Sequence, residues 1–115
     1  MEKVLLDTNF LVYLIKEKKF RVFEDFLDNT IGNYCIYIFE NSLAEIGNIS
    51  KRILKEVRLL IRNGKITLIK EKGKVDDLIL KYKDEYLIAT LDKELQKNLK
   101  RKIIKFGNYF SVFLY

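Results

Sequence analysis

Two hydrophobic rhythms alternate along the chain. Short continuous apolar runs, such as VLL at 4–6 and YCIYI at 34–38, suit strands of a parallel sheet buried on both faces. Between them, apolar residues recur at the spacing of a helix that buries one stripe. Strands are expected at residues 3–6, 34–38, 66–69, 86–89 and about 111–115. Helices are expected over 9–16, through Phe20, Phe23, Phe26 and Leu27, and from Asn41 or Ser42 along SLAEIGNI. The clearest covers 50–62, where Ile53, Val57, Leu60 and Ile61 line one face and Gly64 follows as a terminator. A helix over 78–83, opened by Asp76 or Asp77, and another over 93–102 complete the pattern. The stretch 102–108 is ambiguous, and KIIKF within it also reads as a strand. No linker-like stretch interrupts this alternation. It predicts one domain over residues 1–115, a three-layer α/β/α fold around a parallel sheet of four to five strands.

The composition narrows the chemistry. No histidine occurs in the 115 residues, which excludes Ser-His-Asp and Cys-His catalysis, histidine general acids and histidine-bound zinc. The single cysteine, Cys35, has no partner for an intrachain disulfide and reads as a buried, inert thiol. The absence of proline and the presence of only five glycines argue against disorder. The apolar runs are far too short to span a membrane, and no signal peptide precedes the first strand. A cytoplasmic protein without membrane interaction is expected. A net charge of +6, from 22 basic and 16 acidic residues, favours a polyanionic partner. Charge networks of the thermophilic kind give a similar Lys- and Ile-rich composition.

Candidate chemistry lies with the acids. Asp7 stands directly after the first strand, and Asp92 follows the run at 86–89 through Thr90 and Leu91. Ligands of open parallel sheets bind beyond the carboxyl ends of the strands. Two acids delivered to that edge suggest a metal site, and hard oxygen ligands suit magnesium or manganese. Glu45 is expected in the first turns of the helix after the second strand, on the same edge. Each acid also has a purely structural explanation. Aspartate is a favoured N-cap, and Asp7, Asp92 and one of Asp76 and Asp77 precede helix-like sequence. Glu45 follows Ser42 at the S-x-x-E spacing of a capping box, and Glu40 is an alternative to it.

Four segments together resemble a PIN-domain nuclease: LLDTNFL at the start, LAEI after the second strand, VDDLIL before a helix, and IATLDKEL near the end. Their order and approximate spacing extend over residues 3–99. The resemblance implies Asp7, Glu45, Asp77 and Asp92 as the catalytic, metal-binding acids, with Asp76 as the alternative to Asp77. Thr8, Asn9 and Thr90 would support them. Asp76 is expected to point away from the cluster or to stand behind it. The resemblance further implies one or two Mg²⁺ or Mn²⁺ ions and endonucleolytic hydrolysis of RNA leaving a 5′ phosphate. Two settings fit, a toxin held by an antitoxin and a ribosomal-RNA-processing enzyme with a ribosome-assembly partner. A homodimer is also compatible.

Lys97, Lys100, Arg101 and Lys102, with Lys105 nearby, begin one turn past Asp92 and are expected to bind phosphates. Lys51, Lys55, Arg58 and Arg62 form a second stripe, which reads instead as a solvated helix face. The alternative function is a catalytically inactive PIN-like RNA-binding module. Other phosphate chemistries fit less well. A haloacid-dehalogenase-type phosphatase wants an aspartate two residues after the first, where this chain has Asn9. A receiver domain wants one at the end of the third strand, where Lys70 stands. No phosphate-binding loop or dinucleotide-binding turn is present.

Overall fold

The computed structural model describes residues 1–114. Strands β1 (Glu2–Leu6), β2 (Tyr34–Phe39), β3 (Thr67–Ile69), β4 (Leu87–Ala89), β5 (Arg101–Phe106) and β6 (Tyr109–Leu114) form one sheet. Its order is β3-β2-β1-β4-β5-β6. The first five strands are parallel, and β6 returns antiparallel along β5. Helices α1 (Thr8–Lys16), α2 (Phe20–Thr30), α3 (Glu40–Ile49), α4 (Lys51–Arg62), α5 (Val75–Lys81) and α6 (Lys93–Gln96) make the connections. This is the expected α/β/α architecture, with an antiparallel strand added at one edge.

Side-chain alternation along the central strands divides the core in two. Val4 and Leu6 of β1, with Leu87 and Ala89 of β4, pack with α1 to α4 through Phe10, Leu14, Phe23, Ile46, Ile53 and Val57. Leu5 and Ile88 face the opposite way, toward Val75, Leu78 and Ile79 of α5 and Leu95 of α6. The handedness of parallel crossovers explains this division. From β1 to β3 the chain steps one way across the sheet with its helices on one face; it then returns past β1 to β4. A right-handed crossover in that reversed direction must put α5 on the other face. The reversal leaves a crevice between the carboxyl ends of β1 and β4, the kind of switch point at which such sheets bind ligands.

Three expectations are corrected. The helix foreseen over 93–102 ends at Gln96, and Arg101 already belongs to β5. Residues 97–102 (KNLKRK) contain a single apolar residue, too few for a buried stripe. Ile103 is instead fully buried in register with Ala89. The third helix begins at Glu40 rather than at Asn41 or Ser42, so Ser42 lies inside it and caps nothing. Cys35 is half-buried beside Met1 rather than fully enclosed. Among the described residues no helix is long and apolar enough to cross a membrane.

Candidate functional site

Asp7, Thr8, Asn9, Glu45, Asp76 and Asp92 line one cleft of about 390 Å³ at the switch point, with Ile49 on its rim. Among the described residues no lysine or arginine lines it. Asp7 is the fixed member. Its backbone N–H donates to the Ala89 carbonyl of β4 at 2.9 Å, and its side chain is only 5% exposed. One carboxylate oxygen accepts from the Thr8 N–H at 2.8 Å, and the other accepts from the Thr90 hydroxyl at 2.8 Å. Thr90 also receives the Asp92 N–H at 3.1 Å, so one buried hydroxyl ties both strand-end acids together.

The structural explanation and the cleft placement are both true of these aspartates. Asp7 caps α1, and Asp92 caps α6 by accepting from Glu94 and Leu95 N–H at 2.9 and 3.2 Å. Capping uses one oxygen of Asp92 and leaves the exposed residue on the cleft wall. Glu45, by contrast, is not part of a capping box. It sits one turn into α3, where the Thr8 hydroxyl hydrogen-bonds its carboxylate. Ser42, fully buried, lies 2.9 Å from the same Thr8 oxygen. One proton serves one acceptor at a time; Thr8 gives its own to the anion and is left to accept from Ser42. Ser42 is a positioning residue that its reading as a cap concealed, and a buried serine within a helix is the signal for it.

The third acid is corrected. Asp76, not Asp77, lines the cleft. Lys74 is the N-cap of α5, so both aspartates lie in the first turn and neither caps it. Burial of Val75, Leu78 and Ile79 fixes the rotation of this helix. Asp76 then faces Asp92 and Glu45 across the cleft. The loop before α5 is held near the cleft by Asn41, whose amide donates to the Gly73 carbonyl. Gly73 has φ +143°, a conformation that side chains rarely permit.

Crowding of like charge shows in the electrostatics. Burial raises the Asp7 carboxyl above its ordinary value; Asp76 and Glu45 push it further, while the Thr90 and Thr8 hydrogen bonds oppose the rise. The Asp76 carboxyl is also raised, by partial desolvation and then by Asp92, Glu45 and Asp77. Its side chain is exposed, so the neighbouring charges are the more durable cause.

No protein-family model matches the chain, and no curated protein sequence does. Solved structures do. The PIN domain endonuclease Utp24 is similar with a TM-score of 0.75 at 20% identity, covering 96% of this chain and 90% of that one. VapBC2 from Rickettsia felis, solved bound to a DNA fragment from their promoter, is similar with a TM-score of 0.58 at 20% identity. That likeness covers 90% of this chain and 97% of the other. This chain has the PIN-domain fold. In this PIN fold the acids expected from the motifs converge on one cleft, with Asp76 in the place expected for Asp77.

The donor set suits a hard divalent cation, being all carboxylate with no chain cation among it. Among the described residues no three acids stand close enough to enclose one ion. Closing around it calls for side-chain rotation, for which the exposed Asp76 is suited and the doubly bonded Asp7 is not.

The basic residues divide differently from expectation. Arg101 turns away to Glu2, at 2.5 Å, at the amino end of β1 opposite the cleft. Lys97 and Lys102 line a groove beside α6 together with Lys93 and Lys105, whereas Lys100 and Arg101 do not. Lys51, Lys55, Arg58 and Arg62 border a second groove with Leu54 and Leu59, and make no ion pair among the described residues.

Proposed function

We propose that this protein is a metal-dependent endoribonuclease that hydrolyses RNA phosphodiester bonds in the cleft between β1 and β4. The observation that carries this reading is the gathering of Asp7, Glu45, Asp76 and Asp92 around one cleft that no lysine or arginine among the described residues lines. Such a set is poised for Mg²⁺ or Mn²⁺, and those four residues would hold the one or two ions. A divalent ion there would supply positive charge toward the scissile phosphate and make water acidic enough to attack near neutral pH.

The chain's own part is positioning. Thr8 N–H and the Thr90 hydroxyl hold both Asp7 oxygens, so that acid presents a fixed edge. The Thr8 hydroxyl orients Glu45, and the first turn of α6 fixes one oxygen of Asp92. No side-chain nucleophile is needed, which suits a chain without histidine. The fold likeness to a PIN domain endonuclease agrees with this chemistry. Its cellular setting would be a toxin restrained by an antitoxin or a ribosomal-RNA-processing step with an assembly partner. Separation of the two rests on which protein copurifies with the chain.

Purified protein should cleave RNA in Mg²⁺ or Mn²⁺ and stop in EDTA. Asp7→Asn and Asp92→Asn should reduce cleavage to background, Asp76→Asn should impair it strongly, and Asp77→Asn should impair it little. Cleavage that survives EDTA and both of the first two changes would mean a contaminating nuclease. One observation favours a second reading: among the described residues no three acids stand close enough to enclose an ion. It fits a catalytically inactive RNA-binding module. Salt-dependent RNA binding with neither cleavage nor a melting-temperature rise in divalent ions would establish that alternative.

A further inference from the structure

Next to the acidic cleft lies a second concavity of about 630 Å³, lined by four lysines and two aromatic rings. Lys93, Lys97, Lys102 and Lys105 face it with Tyr13 and Phe106, and no acid among the described residues lines it. Lys93 follows the cleft residue Asp92 directly, so the groove starts about 3.8 Å along the chain from the cleft wall. Lys93 and Lys97 are exposed and Lys105 is half-buried, whereas Lys102 already donates to the Gln96 carbonyl at 2.9 Å. Lys97 meets only the exposed Glu94 at 3.0 Å, a pairing that water and salt readily weaken. Lys105 lies 5.0 Å from the Tyr13 ring centroid and covers one face of that ring. Phe106 closes β5 with 61% of its surface exposed, immediately before the turn at Gly107. Burying a phenylalanine in the sheet would stabilise the fold, so an exposed ring at the mouth of a cationic groove suggests a ligand with a flat apolar face.

We propose that this groove binds the single-stranded RNA flanking the scissile bond, with phosphates on Lys93, Lys97 and Lys105 and a base stacked on Phe106. The inference rests on the nuclease reading for the identity of the polymer. Charge and ring together select it. A duplex engages the lysines but keeps its base faces stacked inside. An acidic peptide engages the lysines and has no use for the ring.

The test is equilibrium binding in EDTA, where nothing is cut, with three labelled probes of equal length. These are a mixed-sequence single-stranded RNA, the same ribose-phosphate chain without bases, and a blunt RNA duplex. Phe106→Leu keeps an apolar side chain and loses the aromatic face. It should weaken single-strand binding by roughly 5-fold to 100-fold. The abasic chain should bind equally to both proteins, and Phe106→Trp should restore binding of the based strand. Alanine at Lys93, Lys97 or Lys105 should each lower the log–log salt slope by about 0.7. Equal losses for based and abasic chains in Phe106→Leu would overturn the stacking assignment, as would full competition by an equally charged poly-glutamate peptide. Binding abolished by alanine at Lys51, Lys55, Arg58 and Arg62, yet untouched by the groove variants, would move the strand to α4 and leave the nuclease reading intact. No binding of any probe, with no cleavage in divalent ions, would sink both.

Discussion

The two faces of the sheet are covered unequally. One carries α1 to α4 and an aromatic cluster in which Phe23 lies 5.3 Å from Phe10 and 5.2 Å from Phe110 between ring centroids. The other carries α5, of seven residues, and α6, of four. The cleft takes Asp7 and Asp92 from the sheet edge, Glu45 from the thick layer and Asp76 from the thin one. Elements with few buried contacts open at lower free energy than a well-packed core. On that ground the site is expected to join a firmly held half to one that opens more readily, with Asp76 in the latter.

The largest effect expected from this difference is on stability. Phe23→Ala, which empties the centre of the thick layer, should cost about 3–5 kcal/mol in chemical denaturation. Leu95→Ala on the buried side of α6 should cost about 2 kcal/mol, the low end for such a truncation, because the short helix can settle into the gap. Equal losses would erase the distinction between the faces. Hydrogen exchange sharpens it: amides of α5 and α6 should exchange through local opening, well before those of α1 and α4, and divalent ions should slow α5 selectively. Uniform slowing would place the ions elsewhere.

Thr90→Val probes the seam between the halves. It removes the donor to Asp7 and the acceptor for the Asp92 N–H, leaving buried groups unpaired, and should cost about 1–3 kcal/mol. A neutral outcome would mean that water replaces the hydroxyl. The smallest effect is on pH dependence. The Asp7 carboxyl is raised in the fold, so the native state holds that proton more tightly than the unfolded chain, whose ordinary value is 3.8. Stability of the metal-free protein therefore falls as pH rises from that value through the raised one, and Asp76 adds a contribution of the same sign. Asp7→Asn, which retains capping ability, should raise the metal-free denaturation midpoint near pH 7. That advantage should shrink as pH falls toward about 4. A variant less stable than wild type near pH 7 would show that the Asp7 hydrogen bonds outweigh its desolvation.

Much of this arrangement is legible in the chain itself. Continuous apolar runs set the central strands, and a carboxylate directly after a strand must emerge at the carboxyl edge; Asp7 needs no further information, and Asp92, three residues past β4, needs only a short loop that stays at that edge. The Ser50-capped α4 and its Gly64 terminator are equally local. Other features depend on contacts between distant residues. Whether KIIKF forms strand or helix is decided by the unpaired edge of β4, which offers Ile103 a partner. The choice between Asp76 and Asp77 rests on a rotation of about 100° per residue, fixed by where Leu78 and Ile79 find their core. Ser42 resembles a cap until Thr8, 34 residues earlier, arrives beside it. Arg101 looks like its lysine neighbours until β1 brings Glu2 within reach, 99 residues away in sequence. Sequence alone determined which acids and bases exist and that Asp7 emerges at the carboxyl edge, because strand direction and periodicity are local. Tertiary structure decided which of them meet, because that depends on helix rotation and on partners far along the chain.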